Sequence, residues 1–117
     1  SLVEIDEFQH FTSFRCRTIE MYPASFPLGF DRERYVETCN RLCERADRYR
    51  RAKWARGFGD EGRQRQRAYY DALRDLATPA VGRPPLIRIA ALEDDGFAAY
   101  RDYREELYRR LGLGEPI

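Results

Sequence analysis

The chain has little of what familiar catalytic and metal sites are built from: one histidine, three cysteines and one methionine among 117 residues. A nucleophilic triad needs a base beside its nucleophile, usually histidine, and His10 has no evident partner in the sequence. Glu7-Phe8-Gln9-His10 has the Glu-x-x-His form found in di-iron bundles, but such a centre uses the motif twice. A histidine on the surface or a helix flank, beside Val3 and Phe14, is the better reading. Cys39 and Cys43 sit one helical turn apart, yet a closed zinc site wants four ligands. Cys16 and His10 are the remaining candidates, and six residues apart on a helix they point to different sides. Thiols packed like small apolar side chains account for the pattern more simply. No catalytic residue, metal site or cofactor is expected.

Other absences narrow the class further. The longest apolar runs are a few residues, far short of the ~20 needed to cross a bilayer, and the chain opens without a basic, apolar leader. An odd cysteine count without disulfide spacing suits a reducing compartment, so a cytoplasmic protein is expected. There are no repeats, and Gly57-Phe58-Gly59-Asp60-Glu61-Gly62 lacks the Lys-Ser/Thr ending of a phosphate loop. That stretch reads as a helix–helix turn.

What is present is a globular composition, 43% hydrophobic and 35% charged. It is sufficient for one core in a single domain, residues 1–117. Eight Tyr, seven Phe and one Trp suggest half-buried seams or an oligomer interface.

Clusters of Pro and Gly at residues 23–29, 57–62 and 79–85 divide the chain into four segments. In the first, Ser1 and Glu4 have capping-box spacing, and Ile5, Phe8, Phe11 or Thr12, Cys16, Ile19 and Tyr22 recur at helical intervals. A helix is favoured there, with a strand over residues 14–22 as the competing reading. The second segment is the clearest: Asp31 caps a helix over residues 32–56 whose apolar arc holds Tyr35, Cys39, Leu42, Cys43, Ala46 and Tyr49. A third helix starts near Asp60 and stops at Pro79. The fourth follows Glu93-Asp94-Asp95, aligns Phe97, Tyr100, Tyr103, Leu107, Tyr108 and Leu111, and ends at Gly112 in a Schellman turn. Residues 86–92 are too apolar for a free loop. The expected fold is therefore mainly α, a compact bundle of about four helices, with residues 14–22 and 86–92 as the candidate strands of a minor two-stranded element.

Charge is unevenly distributed. Residues 1–40 carry a balance of −3, residues 41–67 of +6 and residues 68–117 of −2. Arg41, Arg45, Arg48, Arg51, Arg56, Arg63, Arg65 and Arg67, with Trp54 among them, form the pattern expected of a surface for phosphate backbone or another anion. The plainer alternative is a solvated basic face. Arg50, Lys53 and Arg104 fall on or near apolar arcs, where a cation needs a partner. They are candidates for a polar cleft, although helix ends projecting into solvent explain them more simply.

The leading functional expectation is a non-enzymatic binding protein, engaging another protein or forming a homodimer. A nucleic-acid-binding or regulatory role for residues 41–67 comes second. A small ligand-binding domain or enzyme with a dispersed site, drawing on Arg104, Tyr100, Tyr69 and His10, comes third.

Overall fold

Among the described residues, four helices and two short strands form the fold, in the order β1 (Val3–Asp6), a 3-10 turn (Phe8–His10), α1 (Ser13–Glu20), α2 (Arg32–Arg48), α3 (Arg63–Ala80), β2 (Ile87–Ala90) and α4 (Gly96–Leu111). The computed structural model describes residues 1–49, 53–60, 62–92 and 95–116. The chain is thus mainly α with a minor two-stranded sheet. The helix over the second half of the first segment forms, but its first half does not: the capping box at Ser1 and Glu4 gives way to β1. Residues 86–92 do contain a strand. Its partner is residues 3–6, whereas residues 14–22 are largely α1.

The strands run parallel, with Val3 opposite Ile87 and Asp6 opposite Ala90. This pairing places α1, α2 and α3 in the crossover between them. Val3-Glu4-Ile5-Asp6 alternates in the manner of a strand, but the usual polarity is reversed. Asp6 is fully buried, while Val3 and Ile5 are 41% and 52% exposed. β2 follows the same plan: Arg88 faces inward with Asp6, and Ile87 and Ile89 lie on the opposite face beneath Ala99, Tyr103, Leu107 and Leu111 of α4. The far edge of β2 is bridged by Gly29, where any Cβ would collide with the Leu86 carbonyl.

Each helix is set by its ends. Thr12 caps α1 by accepting from Arg15 N at 3.1 Å. Asp31 caps α2, as its position suggests, by accepting from Arg34 N at 3.0 Å. α2 stops at Arg48, well before residue 56, because Tyr49 turns to extended backbone and its ring meets Phe8 edge-on at 5.2 Å. The freed carbonyls of Asp47 and Tyr49 accept from the buried Gln64 Nε2 at 2.9 and 2.8 Å. A side chain of α3 thereby closes the C-terminus of α2. α3 itself runs one residue past Pro79.

α4 begins at Asp95, which accepts from Phe97 N and Ala98 N. It ends in the expected Schellman turn, with Gly112 at φ +70° and Leu113 N donating to Tyr108 O at 2.9 Å. Its packed face is the i, i+4 row Ala99, Tyr103, Leu107 and Leu111. Phe97 and Tyr100, placed on that face by spacing, are instead 91% and 44% exposed. The main core gathers Phe11, Cys16, Ile19, Tyr22, Phe30, Tyr35 and Cys39.

Candidate functional site

At the junction of β1, α1, α3 and β2 lies a cluster of full charges withdrawn from water. Asp6, Arg15, Asp71, Asp75 and Arg88 are each no more than 3% exposed. Arg88 donates from Nε to Asp75 Oδ1 at 2.8 Å, from Nη1 to Asp6 Oδ1 at 3.0 Å, and from Nη2 to the Asp71 carbonyl at 3.1 Å. Arg15 Nη2 donates to Asp75 Oδ2 at 2.6 Å. Its other nitrogens reach the Tyr22 hydroxyl at 2.8 Å and the Tyr35 hydroxyl at 3.3 Å. Tyr22 and Tyr35 in turn donate at 2.8 Å to Asp75 Oδ2 and Asp6 Oδ2. Buried ions are tolerated on condition that attraction and hydrogen bonds offset their desolvation, and among the described residues every buried side-chain nitrogen and oxygen has a partner.

The electrostatics follow from this packing. Burial alone would push the Asp71 carboxyl up, but the hydrogen bond from His10 and the charge of Arg88 outweigh it and hold it below its ordinary value. Burial pushes the Tyr35 hydroxyl far up, with Arg15 opposing the shift. The Arg88 guanidinium is discouraged by burial yet held charged by Asp6 and Asp75. Three carboxylates thus face two guanidiniums, leaving one surplus negative charge.

His10 is the outlet of this network to the surface. Its Nδ1 lies 2.9 Å from Asp71 Oδ2 and 3.7 Å from Asp6 Oδ1, and its side chain is 20% exposed. The imidazole forms one wall of a cleft of about 230 Å³ whose other walls, Arg63, Gln66, Arg67, Tyr70, Asp71 and Arg74, come from α3. Arg63, Arg67, Tyr70 and Arg74 are spaced so that they share one helix face. Arg63 donates to Gln66 Oε1 at 3.4 Å. Arg74 stands 3.7 Å from both Glu4 and Asp71.

The basic residues singled out in the sequence do not all meet there. Arg63 and Arg67 line the His10 cleft. Arg41 lines a separate cleft of about 440 Å³ with Arg34, Asp95, Arg101 and Tyr103. Arg45 stacks on Phe8, 3.9 Å from the ring centroid. Arg65 donates to the Phe58 carbonyl at 2.8 Å. Arg48, Lys53, Trp54 and Arg56 are exposed, as is Arg104 on the outer side of α4. Arg50 and Arg51 lie outside the described residues.

Among the described residues the buried cations are Arg15 and Arg88, which spacing did not single out. The signal was there, since Arg88 interrupts the apolar run Leu86-Ile87-Arg88-Ile89 and Arg15 adjoins Cys16. Asp71 and Asp75 are one turn apart on α3 and need Arg88 and Arg15 to explain their burial. None of that pairing is local in sequence.

No curated protein and no solved structure matches the chain. Residues 1–109 match the model of a family of unknown function, DUF7255, and with nearly the whole chain covered, this protein belongs to that family.

Proposed function

We propose that this is a non-enzymatic binding protein that acts by self-association, pairing strand β1 with β1 of a second copy. The observation that supports this reading is the half-covered sheet. Leu2 O and Asp6 O accept from Ile87 N and Ala91 N of the neighbouring chain segment, so by alternation the N–H and C=O groups of Val3 and Ile5 point to the opposite edge. The side chains of Val3 and Ile5 share a face with Ile87 and Ile89, which α4 covers, while they themselves stay exposed.

An apolar edge strand of this kind is a template for another strand. A twofold axis would make the β1–β1 pair antiparallel and join two two-stranded sheets into one of four strands. The three free thiols suit a reducing compartment such as the cytoplasm.

Light scattering on eluting protein tests the proposal. Wild type is expected at twice the chain mass, and Ile5→Lys, which places a charge on the edge, at the single mass. A monomeric wild type at high micromolar concentration, or a dimeric Ile5→Lys, would remove the reading.

A second reading, nucleic-acid binding through residues 41–67, draws support from the exposed row Arg41, Arg45 and Arg48 on α2 with exposed Trp54. It expects oligonucleotide affinity that falls steeply with salt. Charge reversal at Arg48 should weaken it.

A further inference from the structure

The His10 cleft concentrates positive charge differently from the α2 surface. Three arginines and one imidazole converge on about 230 Å³, a volume suited to a small anionic group rather than a length of polymer. Its arginines come from one rigid helix face, which limits the ordering they must undergo on binding. The carboxylate in its wall, Asp71, is already engaged by Arg88 and His10.

We propose that this cleft, walled on one side by His10, binds a phosphate dianion, as inorganic phosphate or the terminal group of a small phosphomonoester, through Arg63, Arg67 and Arg74. Arg63 and Arg74 are exposed and have only long contacts in the structure, Arg63 at 3.4 Å to Gln66 and Arg74 at 3.7 Å to both Glu4 and Asp71. Both can exchange these for short charge-assisted bonds to phosphate oxygens. The His10 imidazole closes the cleft opposite the three arginines, fixed in place by its Nδ1 contact to Asp71 at 2.9 Å. The groups facing that ring are Asp6 from β1 and, from α3, Asp71, Tyr70 and the three arginines.

Calorimetric titration with inorganic phosphate, phenyl phosphate and an oligothymidylate lacking terminal phosphate tests the proposal. Saturable one-to-one binding of the first two is expected, weakened about tenfold by Arg63→Gln and about tenfold by Arg74→Gln. Both positions are exposed, so both variants should keep the wild-type melting temperature. Binding of phenyl phosphate but not of inorganic phosphate would still support the site and identify its ligand as an ester. The proposal is overturned if wild type binds neither, or if both variants bind as wild type does. It is also overturned if the oligothymidylate binds more tightly than either phosphate, which would favour a backbone-binding surface.

Discussion

His10 Nδ1 meets Asp71 Oδ2 at 2.9 Å across 61 positions of sequence, tying the short turn after β1 to the middle of α3. The contact links a surface cleft to a buried set of five charges.

Asp75 accepts from Arg15 on one oxygen and from Arg88 on the other. Asp75→Ala leaves two buried guanidiniums short of a counter-charge and should destabilise the fold by about 3–5 kcal/mol. Exposed Arg104→Ala should stay within about 0.5 kcal/mol of wild type. Urea denaturation of the two variants decides this, and equal midpoints would contradict the network's role.

Asp71 gives the acid limb of the stability curve. Because its folded-state value is lowered from the ordinary 3.8, its contribution is fully present above that value. It is lost as pH falls from there through the lower folded-state value. Denaturation midpoints between pH 7 and pH 2.5 should therefore drop more steeply in wild type than in Asp71→Asn, which is less stable at neutral pH. Parallel curves would contradict the prediction.

Thiol labelling should discriminate the three cysteines. Burial pushes Cys39 up to about 12 and Cys16 up to about 11, the latter helped by its hydrogen bond to Glu20, so few thiolates form at either near neutrality. Cys43 is half-buried. Timed alkylation at pH 8 read by mass spectrometry should modify Cys43 first, with Cys16 and Cys39 reacting at comparable rates after unfolding.

Gly29 passes so close to the Leu86 carbonyl that a methyl group has no room. Gly29→Ala should cost about 1–3 kcal/mol through forced separation of the two segments, visible as a lower melting temperature. Gly96→Ala, with open space around the position, serves as the control.

Local chemistry made several elements legible in the sequence. Asp31 and the Tyr35, Cys39, Ala46 spacing define the start and buried face of α2, and Gly112 followed by Leu113 ends α4. Those features depend on neighbours within about one helical turn. The first segment resisted because its apolar residues fit helical spacing, while residues 3–6 are held extended by a strand more than eighty positions away.

The amino-acid sequence by itself determined a mainly helical chain, the Asp31 cap of α2, both ends of α4 and an apolar segment at residues 86–92. These follow from periodicity, capping and composition, which act over short range. Tertiary structure alone decided that Asp6, Arg15, Asp71, Asp75 and Arg88 go inside and that β1 turns its apolar side outward. A buried charge is stable only beside its partner, and the partners meet only when β1, α1, α3 and β2 are packed together.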